Sequence, residues 1–212
     1  MKITAVEKKK GTRYTVYVDE EYFYILDQEI LFDNDIRPGR EVDEAFLADV
    51  RRQADVRKAR ERALYLLSYR DHSRKELYDK LCRSVDEEIA AQITDRMVTL
   101  GLVDDVRYAE KLARDALCRK KLGLRRASFE LQRKGISREL ADETLERLSE
   151  EIDTGDQLRT LVEKKYARYL VDEKGVKRVT AALARLGHSY PDIKEAIAAY
   201  IDRDDALDGE LD

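Results

Sequence analysis

Two adjacent carboxylates, Asp104 and Asp105, stand in the segment GLVDDVRYAEKLARD, Gly101 to Asp115. Such a pair can hold Mg²⁺, but only where further oxygen ligands converge on it. It can equally begin a helix. A carboxylate at the cap accepts a backbone N–H, and the next complements the positive end of the dipole. Tyr108, Leu112 and Ala116 follow at helical spacing, so capping is the expected role. His72 and His188 are the only histidines. Acid–base chemistry is open to them, yet both fall at matching turns just before a serine, where a structural role is expected. Cys82 and Cys118 form no ligand pattern and read as free thiols of a reducing cytoplasm. No Walker motif, GxGxxG, GxSxG or zinc spacing occurs. No catalytic, cofactor or metal residue is therefore assigned, and the chain reads as a non-enzyme.

The charged rows offer more. CRKKLGLRR holds Arg119, Lys120, Lys121, Arg125 and Arg126 with no acid among them. Arg133 and Lys134 lie further on, and Lys177, Arg178 and Arg185 recur later. Such rows contact phosphates or acidic protein surface. A solvated helix face is the plainer explanation of charge alone. Recurrence of the row favours function. Twelve tyrosines and no tryptophan make stacking on bases conceivable. Tyr65, Tyr69, Tyr108, Tyr166, Tyr169 and Tyr200 fall in helical stretches, where core or rim positions are expected.

These residues need elements to place them. The chain has 212 residues, 43% hydrophobic and 41% charged, with two prolines and nine glycines. That composition indicates an ordered, mainly helical protein. No run of about 18 apolar residues exists, and MKITAVEKKK does not read as a signal peptide. The net charge of −4 is uneven. Residues 1–50 hold 7 basic and 12 acidic groups, 51–201 hold 33 and 27, and 202–212 hold 1 and 6. The middle is mildly basic between acidic ends, which permits an anionic partner there.

KITAVEKK and RYTVYVD read as a hairpin, with Tyr22 to Leu26 as a third strand. RPGR, Arg37 to Arg40, closes this unit, and Asp43 is placed to cap a helix. Beyond it the period is helical. Ser73 and Glu76 have capping-box spacing. Gly101 sits where a glycine ends a helix. GLRRASFELQRKGIS from Gly123 and GVKRVTAALARLGHS from Gly175 then align at a constant offset of 52, with identities at Gly123/Gly175, Arg126/Arg178, Leu131/Leu183, Arg133/Arg185, Gly135/Gly187 and Ser137/Ser189. Gly135 and Gly187 end the middle helices, and Ser137 and Ser189 cap the next ones. SRKELYDKLCRSVD from Ser73 is a divergent earlier copy. The expected fold is mainly α: three tandem three-helix repeats in an elongated array, preceded by a small β unit. The expected division is 1–45 (β unit), 46–103 (first repeat with a lead-in helix), 104–152 and 153–201 (second and third repeats), and 202–212 (acidic flexible tail). Long helices are expected near 58–70, 104–121 and 154–170.

These motifs resemble the RecX family, bacterial modulators of the RecA recombinase. The match lies in Gly101, Leu102, Val103, Asp104, Asp105, Tyr108 and Ala109. Gly123, Arg126, Ala127, Glu130, Leu131, Lys134, Gly135 and Ile136 follow in order. Ser73, Arg74, Glu76, Leu77, Lys80 and Leu81 fit the family's first unit. Leu124 stands where a proline is common. The resemblance covers about residues 55–201. It implies a cytoplasmic, monomeric, cofactor-free regulator. Such a protein binds RecA or its DNA filament, generally in the groove, and most often limits recombinase, ATPase and coprotease activity. The residues alone leave open a direct DNA-binding module or a helical scaffold for another protein.

Overall fold

The computed structural model describes residues 1–209, and for 203–209 only the backbone. The chain forms two compact units, residues 1–70 with 77–102, and residues 71–76 with 103 onward.

The first unit begins with strands β1 (Ile3–Lys8), β2 (Arg13–Val18) and β3 (Glu21–Asp27), an antiparallel sheet in the order β1-β2-β3. β2 and β3 are joined through Asp19 and Glu20, both left-handed at φ 49° and 70°. That is the backbone a two-residue hairpin turn demands, here without glycine. The RPGR stretch closes the unit by pairing with β1. The Gly39 amide donates to Ile3 O at 2.8 Å, and the Ile3 amide donates to Arg40 O at 2.9 Å. A short helix, α1 (Gln28–Asp33), follows β3 directly and was not expected. Asp27 caps it.

Helix α2 (Glu44–Tyr69) is a single 26-residue helix, capped by Asp43, whose carboxylate accepts from the Phe46 amide at 2.8 Å. It starts well before the expected 58. Leu47, Val50 and Ala54 pack with Ile3, Val16 and Leu26 of the sheet. Ala59, Ala63 and Leu66 make a second buried stripe. Ala59 lies 12 residues after Leu47, which at 100° per residue rotates the second stripe by about 120°. One helix thus buries two faces in succession. Helix α3 (Arg74–Leu81) follows α2, and α4 (Glu87–Thr99) packs on α2. Gly101, at φ +68°, closes α4 with a Schellman pair: its own amide donates to Val98 O, and the Leu102 amide to Met97 O.

The second unit holds α5 (Asp105–Arg114), α6 (Leu124–Arg133) and α7 (Arg138–Glu151), then α8 (Thr154–Leu161), α9 (Glu173–Arg185) and α10 (Tyr190–Gly209). The expected long helix over 104–121 is α5 plus a π turn, Asp115–Arg119. The one over 154–170 is α8, a π turn at Val162–Tyr166 and a 3₁₀ turn at Ala167–Tyr169. Both long helices therefore widen at the same stage, before the chain reverses. Tyr108, Ala109, Ala113, Leu117, Leu131 and Leu145 are buried in one core. Leu158, Val162, Val179, Leu183, Ile193 and Ile197 are buried in another. α10 continues past residue 201 as far as Gly209. Of the tail read as flexible, residues 210–212 lie outside the described residues.

The middle helices end as expected. Gly135 and Gly187 are left-handed, φ +84° and +92°, each within a Schellman pair. Their starts differ. Gly123 precedes α6 as its cap, whereas Gly175 lies inside α9, which is capped three residues earlier by Asp172. A Cβ on Gly175 would strike the Tyr169 carbonyl, which accounts for glycine at that helical position.

Candidate partner-binding face

Asp104 is the cap of α5. Its backbone is extended, and its carboxylate accepts from the Arg107 amide at 3.0 Å. Asp105 has a more specific task than the dipole role expected for it. Its carboxylate accepts from the Arg74 amide at 2.8 Å, at the first turn of α3. Burial pushes its pKa up, against the Arg74 bond. The two aspartates therefore serve two different helix starts. Among the described residues, no group of three His, Cys, Asp or Glu side chains is placed to hold a metal ion. Ser73 accepts from the Glu76 amide at 3.0 Å and donates to Lys134 O at 2.6 Å. Ser137 accepts from the Leu140 amide at 3.2 Å, and Ser189 from the Asp192 amide at 3.3 Å. Cys82 is half-buried and Cys118 exposed, both as thiols.

The basic row is less bare than its sequence. The π turn brings Asp115 beneath it, and α6 supplies Glu130. Arg119 pairs with Asp115. Lys120 Nζ lies 3.4 Å from Asp115 and 2.8 Å from Glu130, and Arg126 Nε lies 3.9 Å from Glu130. The Arg119 guanidinium holds the Asp115 carboxyl below the usual carboxylate range. The hydrogen bond to Glu130 raises the Lys120 ammonium. Three of the five cations are thus strung with two acids. Lys121 is used internally, at φ +54°. Its amine donates to Gln157 at 3.1 Å, and its carbonyl meets His188 Nε2 at 3.1 Å. Burial pushes the His188 imidazole pKa down, so this ring is neutral and structural.

Later cations divide the same way. Lys177 pairs with Glu173 at 2.6 Å, and Arg185 Nε donates to Ala181 O at 3.2 Å. Arg125, Arg133, Lys134 and Arg178 are exposed and have no ion pair among the described residues. Lys120, Arg133 and Lys134 share one hollow of about 310 Å³ with Glu76 and Glu130. Lys121 and Arg125 share another of about 510 Å³ with Arg159, His188 and Tyr190.

Phe129 was missed by the sequence reading. It is 51% exposed, with the Arg126 guanidinium 5.4 Å from its ring centre. Arg126, Phe129 and Arg133 stand at i, i+3 and i+7, on one face of α6, while Ala127 and Leu131 are buried. That spacing was the available signal. On α9 the same offsets hold Arg178, Ala181 and Arg185. The tyrosines also divide. Tyr108 is buried, and Tyr166, Tyr169 and Tyr200 pack at the rim of the core around Leu183. Tyr65 and Tyr69 do neither, being 63% and 85% exposed.

Residues 1–43 match the RecX N-terminal domain, 59–97 the first RecX three-helix domain, and 104–145 the second. A crystal structure of RecX from Lactobacillus salivarius is 31% identical, with a TM-score of 0.62, over 69% of this chain and 96% of that one. The chain belongs to the RecX family. A second crystal structure, of a regulatory protein RecX, is 25% identical with a TM-score of 0.67, over 93% of this chain and 98% of that one. The regulatory protein RecX of Clostridioides difficile is 27% identical over 96% of this chain and 97% of its own length. The RecX of Listeria welshimeri is 30% identical over 71% of this chain and 57% of its own. Family membership accounts for the helical units and the three-stranded sheet together. Among the described residues, no helix is long and apolar enough to cross a membrane.

Proposed function

We propose that this RecX-family chain regulates the RecA recombinase. It binds RecA or its nucleoprotein filament, in the groove, and limits recombinase, ATPase and coprotease activity without catalysing a reaction. It acts as a cytoplasmic monomer and uses no cofactor. The observation that carries this reading is the match of three successive RecX domains in family order. The unpaired Arg125, Arg133, Lys134 and Arg178 support it, because a filament on DNA offers phosphates and acidic side chains to such groups. We read the helices as three tandem units, α2–α4, α5–α7 and α8–α10, each able to make its own contact. Linked contacts raise the overall affinity above that of any one unit.

RecA-dependent ATP hydrolysis on single-stranded DNA, with and without the protein, tests the proposal. The expected result is a lower rate as the protein is added. An unchanged rate at saturating protein overturns it.

A further inference from the structure

Tyr65 and Tyr69 are large rings left in solvent on α2. They are the last members of a row. Lys58, Arg62, Tyr65 and Tyr69 are spaced by 4, 3 and 4 residues, which keeps them on one side of the helix. From Lys58 to Tyr69 the row runs about 16 Å. It lies about 100° from the Ala59–Ala63–Leu66 stripe, so burying that stripe leaves the row outside.

The charge of the row is available. Arg62 has no carboxylate partner among the described residues, and its guanidinium lies 5.4 Å from the Tyr65 ring centre. Among the described residues, the Lys58 amine meets only a carbonyl, Ser84 O, at 3.1 Å. The one acid between residues 56 and 70 is Glu61. It is already engaged, 3.3 Å from Arg57 and 3.9 Å from Arg13. At the other end, Lys58 borders a cleft of about 330 Å³ that Tyr22 of β3 also lines. Tyr22 is 60% exposed. Rings therefore stand at both ends of the row, with unpaired cations between them.

We propose that this side of α2, from Tyr22 through Lys58 and Arg62 to Tyr65 and Tyr69, is a binding track for single-stranded nucleic acid. Flat exposed rings next to cations suit bases stacked over aromatic faces and phosphates held by ammonium and guanidinium groups. A duplex hides its base faces, so it would leave the rings idle. An acidic peptide would use the cations alone. The track shares no residue with the α6 and α9 cations that support the regulatory proposal.

The test is fluorescence anisotropy with labelled oligothymidine and with a duplex of equal length. The full chain is expected to bind the single strand more tightly. Tyr65→Leu with Tyr69→Leu is expected to weaken that binding at least about 25-fold, at the lower limit of a stacking contribution for each ring. Tyr65→Phe with Tyr69→Phe keeps the rings and is expected to bind like the parent. Lys58→Gln with Arg62→Gln is expected to lower the slope of log affinity against log salt by about 1.4. Circular dichroism checks that each variant is folded, and the substituted side chains are exposed. Equal affinity of the leucine variant and the parent overturns the proposal. So does equal affinity for strand and duplex, or binding lost only on reversing Arg125 and Arg133.

Discussion

The Gly123 amide donates to the Leu186 carbonyl at 3.0 Å, next to Gly187. A Cβ on Gly123 would overlap the Gly187 carbonyl, and a Cβ on Gly187 would overlap Arg126. The start of one middle helix is thereby seated on the end of the next. The same joint occurs one repeat earlier, where Ser73 donates to Lys134 O and a Cβ on Gly135 would fall 2.6 Å from Ser73 Oγ. Gly187→Ala should therefore destabilise the second unit by about 2–5 kcal/mol, from overpacking added to a left-handed backbone. Gly101→Ala meets nothing within 4 Å and should cost only the backbone share, about 1–2 kcal/mol. Urea unfolding of the two variants checks the order.

Asp104→Ala should cost about 0.5–2 kcal/mol as a lost helix cap. Asp104→Asn retains an accepting oxygen and should stay near the parent. Regulation of RecA should persist once the alanine variant is folded at lower temperature. Metal-dependent activity of the chain by itself would contradict the capping role.

His188 gives stability a pH dependence. Burial lowers its folded pKa, while in the unfolded chain it protonates near the ordinary value of about 6.5. The unfolded state therefore takes up the proton first. Stability from this group is full above about 6.5 and falls as pH drops from there towards the folded value. His188→Gln can still offer an N–H to Lys121 O without titrating. Melting curves on either side of about pH 6.5 should show a smaller drop for the variant than for the parent.

Removal of residues 1–45 should leave the helical units folded but strip the sheet from Leu47, Val50 and Ala54. Removal of residues 1–55 takes that stripe away as well. The longer truncation should be the better behaved of the two, with a helical circular-dichroism signal and a monomeric elution volume. Loss of helix at all temperatures in both would refute independent folding.

Reversing Arg125 and Arg133 to Glu should slow association with the RecA filament, with the gap to wild type shrinking as salt rises. Thermal stability should hardly change, because exposed charges contribute little. Equal filament affinity at low salt, with both proteins folded, would assign these residues to solubility alone.

Local rules made much of this chain legible in its sequence. Helix caps at Asp43, Ser73, Asp104, Ser137 and Ser189 depend on contacts two or three residues away. The glycine endings at 101, 135 and 187 depend on contacts within one turn. The sheet order was readable from alternation and two turns, and repetition at a fixed offset marked the helical units. Tertiary structure alone decided which residues distant in sequence meet. Asp105 reaches the Arg74 amide across 31 residues, and Ser73 reaches the Lys134 carbonyl across 61. It also decided exposure along α2. Tyr65 and Leu66 are adjacent apolar residues about 100° apart, and periodicity cannot say which one faces the core. That choice depends on α2 turning a second face inward after it has passed the sheet.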